Sequence, residues 1–103
     1  MKRVDSKIDG SLLVEEDLLF HGMITGDLTV PSGRMLKMHG LVSGDLVVEK
    51  GAEADVHGKV NGAVRNQGRV RIFGMVKDLF EDAGADTLVD AKAVVTGKDH
   101  RLV

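Results

Sequence analysis

HGMITGDLTVPSGRMLKM (21–38) is followed directly by HGLVSGDLVVEKGAEADV (39–56), and the two stretches align without a gap. His-Gly recurs at 21–22, 39–40 and 57–58, each 18 residues after the last. Glycine recurs in step at 26, 44 and 62, and again at 33 and 51. A fixed period of this size marks a repeat architecture, in which each repeat buries its apolar face against the next. The pattern extends both ways. HGKVNGAVRNQGRVRI (57–72) is a third turn, two residues shorter, and FGMVKDLFEDAGADTL (73–88) is a fourth of the same length. GSLLVEEDLLF (10–20) and VDAKAVVTG (89–97) read as partial turns at either end.

Within each turn aliphatic and polar residues alternate over three to five positions and then meet a glycine. Period-two alternation gives short strands, and glycine gives the corners between them. Stacking the turns aligns Ile24, Val42, Val60 and Val76 in one column, and Leu28, Leu46, Val64 and Phe80 in another. Val30 sits with Val48, Leu36 with Ala54 and Val70, and Met38 with Val56, Ile72 and Leu88. The expected fold is all-β: a single-stranded parallel β-helix, or solenoid, of about 16–18 residues per turn, with strands about 4.8 Å apart from turn to turn. Residues 77–85 have some helical composition but stay in register, so they read as coil. The shortening of the third and fourth turns places Asn66 and Asp82 at corners, in the left-handed backbone conformation that Asn and Asp tolerate; the alternative, a polar pair in the core, carries a desolvation cost.

Composition narrows the functions. The 103 residues include 13 glycines and 3 phenylalanines, with no tryptophan, tyrosine or cysteine. Without cysteine there is no disulfide, thiolate metal site or thiol nucleophile. Few rings speak against a base-stacking platform, and a net charge of −2 gives no pull toward nucleic acid or anionic membrane. No stretch reads as a membrane-spanning segment or a secretory leader, so the expected location is cytoplasmic.

The pattern HGxVxGDLxVxxG resembles the bactofilin family of polymer-forming bacterial proteins. Gly22, Ile24, Gly26, Asp27, Leu28, Val30 and Gly33 carry it, and Gly40, Val42, Gly44, Asp45, Leu46, Val48 and Gly51 repeat it. The resemblance covers about residues 10–97. It implies a right-handed, triangular β-helix that assembles end to end into filaments without nucleotide. The expected layout is a tail or cap over 1–9, a solenoid over 10–97 and a tail over 98–103. Tails this short, three His-Gly corners and two 16-residue turns set the chain apart as a divergent, stand-alone member. The competing architecture is the left-handed β-helix of hexapeptide acyltransferases, because aliphatics also recur every six residues from Leu12 to Val60. That repeat prefers a small residue after each aliphatic. Here Pro31, Lys37 and Glu49 follow instead, and the shortened turns break the hexad.

His21, His39 and His57 form a vertical ladder that could ligate zinc or copper. Phe73 continues the ladder, which points to ring stacking, and no metal site or cofactor is assigned. Asp27 and Asp45 follow corner glycines, where carboxylates cap free amides. Lys37, Asp55 and Arg71 alternate in sign up one column, as do Glu53 and Arg69 in another, which neutralises any basic patch. Met23, Leu41, Lys59 and Met75 share an outward column, with Leu13, Leu19 and Val47 nearby, as a candidate lateral contact. The two ends, with Leu12 and Val14 at one and Val94 and Val95 at the other, have no capping helix and are candidate contacts for another copy. No catalytic constellation stands out. The leading reading is a non-enzymatic, self-associating scaffold, with itself as partner. The alternative is a small partner-binding module, such as an immunity protein that covers a toxin with the side face.

Overall fold

A computed structural model of the chain describes residues 2–100. Among them every regular element is a strand, and every pairing is parallel. The strands form three faces of a solenoid. The first face stacks six strands: β1 (Lys2–Val4), β4 (Leu18–Phe20), β7 (Met35–Met38), β10 (Glu53–Val56), β12 (Arg69–Ile72) and β14 (Asp86–Val89). The second holds β2 (Lys7–Ile8), β5 (Met23–Ile24), β8 (Leu41–Val42) and β15 (Val94–Val95). The third holds β3 (Leu12–Leu13), β6 (Leu28–Val30), β9 (Leu46–Val48) and β16 (Asp99–His100). Between the lower and upper strands of these two faces, β11 (Lys59–Asn66) and β13 (Met75–Glu81) run unbroken through the shared corner, so the second and third faces merge into one sheet.

The interior is built of aligned aliphatic rows. Ile8, Ile24, Val42, Val60, Val76 and Val95 form one. Val4, Phe20, Met38, Val56, Ile72 and Val89 form another, and Phe20 is fully buried in it. Each large side chain buried this way contributes about 1.5–3 kcal/mol. Residues 1–9 were expected as a tail or cap. Instead β1 and β2 pair with β4 and β5, so the ladders begin at Lys2. The expected C-terminal tail, 98–103, likewise begins with a strand, because β16 pairs with β13. Met1 and residues 101–103 lie outside the described residues.

The fourth turn corrects two columns. Leu79, not Phe80, lies above Val64, because the register shifts between Val60 and Ala63. The corner Asn61-Gly62-Ala63 of the third turn is matched by a shorter one, Lys77-Asp78, so the strand arrives one residue early. Phe80 therefore points outward, with the Arg65 guanidinium 5.1 Å from its ring centre. The next corner is longer and overshoots in compensation. Val89, not Leu88, completes the row of Met38, Val56 and Ile72, and Leu88 is left outside and 56% exposed. The stretch read as coil is strand as far as Glu81, since β13 takes part in ladders on two faces.

Asn66 is also not a left-handed corner residue, and neither is Asp82. Positive φ among the described residues occurs only at glycine, and Gly84 takes that conformation where Asp82 was expected to. Asn66 continues the inward row of Val48 and is 1% exposed. Its Nδ2 donates to the Asp86 carbonyl oxygen at 2.6 Å and to Thr87 Oγ1 at 2.7 Å. Its Oδ1 accepts from the Gly68 amide at 2.9 Å. The two residues missing from this corner leave backbone groups without a neighbour to pair with, and the Asn66 carboxamide supplies those bonds. A buried amide is tolerated when it is satisfied in this way.

Candidate functional site

The histidine ladder forms as a flat stack. Ring centres of His21 and His39 are 4.9 Å apart, those of His39 and His57 4.6 Å, and those of His57 and Phe73 4.6 Å, with planes within 6° of parallel. Parallel rings at this spacing hold their in-plane nitrogen lone pairs side by side. They do not converge on one ion, whose nitrogen ligands must lie about 2.0–2.1 Å from it. Among the described residues no group of three or more histidines and carboxylates could hold a metal ion. The stack is instead a corner device, with Phe73 as its apolar terminus.

That device responds to pH. Desolvation first, then the nearby charges of His57, His21 and Lys37, lower the His39 pKa below the ordinary value of 6.5. The unfolded chain therefore binds a proton at His39 before the folded chain does. The stability this group contributes is present above 6.5 and is lost as pH falls through 6.5 toward the folded value. The melting temperature of the native chain should decline between pH 7.5 and 5.5. In His39→Phe, which keeps the stack, the decline should be shallower. An equal slope in the two proteins would show that His39 carries none of it.

The carboxylates after the glycines belong to a longer series. Asp-Leu occurs at 17–18, 27–28, 45–46 and 78–79. In all four pairs Asp Oδ1 accepts an amide from the turn above: Met35 N at 3.0 Å, Asp45 N at 2.7 Å, Ala63 N at 2.8 Å and Lys98 N at 2.8 Å. Ser11 Oγ does the same for the Asp27 amide at 3.1 Å. These groups sit at the corner between the second and third faces or just before a first-face strand, where a short acceptor side chain completes the ladder. Spacing alone missed Asp17 and Asp78, because neither has a glycine before it. The Asp-Leu dipeptide was the signal that would have found them.

Charged columns stand as read from the repeat, with unequal strength. Arg71 Nε and Nη2 donate to Asp55 Oδ1 and Oδ2 at 2.8 and 2.9 Å, a bidentate pair on a carboxylate that is 12% exposed. Arg69 reaches Glu53 at 3.6 Å and Asp86 at 3.8 Å, and Arg65 reaches Asp45 at 3.9 Å. The latter pairs are exposed and stabilise by roughly 0–1 kcal/mol each. All three arginines have acidic neighbours, so they do not form a free phosphate-binding surface.

Apolar groups outside the core fall in separate places. Met23, Leu41, Lys59, Met75 and Val94 form one outward column on the second face. Val47 belongs to a column on the third face with Leu13, Thr29, Arg65 and Phe80. Leu19 lies on the first face, beside Lys37 in register, and is not part of either. Of the end residues, Val14 is buried at 2% exposure, Leu12 and Val95 are half-buried, and Val94 points outward. At the N-terminal end, Val4, Ile8, Leu12, Val14 and Leu18 line a recess of about 520 Å³. No described helix is long and apolar enough to cross a membrane. No protein-family model matches the chain, and neither a curated protein nor a solved structure does.

Proposed function

We propose that this chain is a non-enzymatic structural protein that self-associates through the ends of its solenoid, as a scaffold of bactofilin-like type. The supporting observation is the state of the ends. Among the described residues, β1, β2 and β3 begin the ladders, and β14, β15 and β16 close them, with no element laid across either end. An uncovered strand edge is a template for another chain. Aliphatic rows that continue to the edge add an apolar driving force. The resemblance of the Gly-Asp-Leu repeats to bactofilins supports the same reading, and with it a cytoplasmic setting. Sedimentation velocity from low to high micromolar protein, with negative-stain microscopy, is the test. Species larger than one chain should appear and grow with concentration. A clean monomer throughout would overturn the reading.

A second reading rests on the outward column of Met23, Leu41, Met75 and Val94, in which Met75 and Val94 are 38% and 44% exposed. An apolar stripe on a rigid face suits a protein partner, as in an immunity protein. A stable complex recovered with a co-expressed partner, and weakened by Leu41→Glu or Met75→Glu, would favour it. Self-association untouched by those changes would favour the first reading.

A further inference from the structure

The outward side of the second face carries two parallel columns. Met23, Leu41, Lys59, Met75 and Val94 form the first. Thr25, Ser43, Asn61, Lys77 and Thr96, two residues further along each turn, form the second. The apolar column is interrupted once, at Lys59, and Lys77 stands in the next column one turn above. Both lysines are exposed, and neither side chain has an ion pair or hydrogen bond among the described residues. No carboxylate occupies either column from Met23 to Thr96, although the chain carries a net charge of −2. Lys59, Asn61, Met75, Lys77 and Thr96 border a depression of about 240 Å³.

We infer that this face receives one amphipathic α-helix of a protein partner. The helix lies along the solenoid axis. Its apolar residues cover Met23, Leu41, Met75 and Val94, and one of its carboxylates enters the depression between Lys59 and Lys77. The inference deepens the side-face reading and does not depend on the ends.

Spacing and charge choose this occupant. Successive turns lie about 4.8 Å apart. A helix returns a residue to the same side every three or four positions, about 4.5–6 Å along its axis. One apolar residue per helical turn therefore falls near each member of the column. From Met23 to Val94 the column spans about 19 Å, the length of roughly 13 helical residues. An extended segment fits poorly. The backbone groups of this face are already used in the parallel ladders, so a strand laid over it finds no partner for its own, whereas a helix satisfies its backbone internally. A second copy fits poorly too. Two-fold pairing centred on this column sets Lys59 against Lys59 with no carboxylate between them. An anionic bilayer gains only about 1 kcal/mol from each lysine near its surface, and a column one side chain wide inserts little apolar area. A partner helix with a central carboxylate instead neutralises both ammonium groups at once.

The experiment uses fluorescence anisotropy with three labelled, helix-forming peptides of about 14 residues. The first has leucine at every third or fourth position and one central glutamate on the same side. The second replaces that glutamate by lysine, and the third has a central proline. The glutamate peptide should bind the native chain at least tenfold more tightly than either of the others. In the double variant Lys59→Glu, Lys77→Glu, with folding checked by circular dichroism, the preference should invert toward the lysine peptide. Met75→Glu should weaken the glutamate peptide at least tenfold. The inference is overturned if no peptide binds, if the glutamate and lysine peptides bind the native chain alike, if the proline peptide binds as well, or if the double variant keeps the native preference. Binding to phosphatidylserine vesicles that is lost in Lys59→Glu would assign the face to a membrane instead. Glutamate and lysine peptides that bind alike and are both lost in Met75→Glu overturn the acidic helix but leave the side-face reading standing. Peptide binding untouched by Met75→Glu overturns both.

Discussion

Gly40→Ala is expected to destabilise the chain by about 3 kcal/mol, the upper range for forcing atoms into a filled site. Gly40 stands directly over Gly22 in the His-Gly column, and a Cβ there would overlap the Gly22 carbonyl oxygen. The obstacle is backbone, not the flexible end of a side chain. It also belongs to a ladder, because the Leu41 amide donates to that same carbonyl at 3.0 Å. Relief requires the turns to separate, which lengthens hydrogen bonds on the second face. Gly51→Ala is the contrasting case. Gly51 has φ +84°, and an added Cβ meets the Ser32 hydroxyl, which can rotate away. The left-handed backbone costs about 1–2 kcal/mol, so Gly51→Ala should be the milder of the two. Urea denaturation of both variants checks the order. If Gly40→Ala is as stable as the native chain, the close stacking of the His-Gly corners is wrong.

Asn66→Val should cost about 3 kcal/mol, although valine is what the row beneath carries at Val48. The substitution removes the donor to Asp86 and Thr87 and the acceptor for Gly68. Two backbone groups at a part-buried corner are then left without partners, at roughly 1–3 kcal/mol each, and burial of the added methyls recovers part of this. Were the interior merely an aliphatic column, the same change would stabilise. The sign of the effect therefore separates a satisfied polar element from a packing defect. With total stabilities of about 5–15 kcal/mol typical of domains this size, the variant should show a clearly lower midpoint in urea.

Much of the solenoid is legible in one pass because its repeat is short and its rule is simple. Residues one turn apart, 18 in the longer turns and 16 in the shorter, are neighbours in the ladder, so a match in the sequence is a match in space. This is why the rows through Ile24, Leu28 and Val30, the ring stack from His21 to Phe73 and the Asp55–Arg71 pair could be placed from spacing. Where turn length changes, residues one repeat apart are no longer neighbours. The fourth turn starts 16 residues after the third, yet it drops one residue at the first corner and gains two at the next. Counting therefore put Phe80 and Leu88 inside, where Leu79 and Val89 stand. The Asp-Leu dipeptide at 78–79 carried the correct register, because the corner carboxylate caps an amide of the turn above.

The sequence by itself determined the repeat, the parallel stacking and the aliphatic filling, since these follow from periodicity and from which side chains water excludes. Tertiary structure decided what periodicity cannot encode. It decided which residue a shortened corner brings inward, as at Asn66. It also decided that residues 2–8 join the ladders, because pairing with β4 and β5 satisfies their backbone groups.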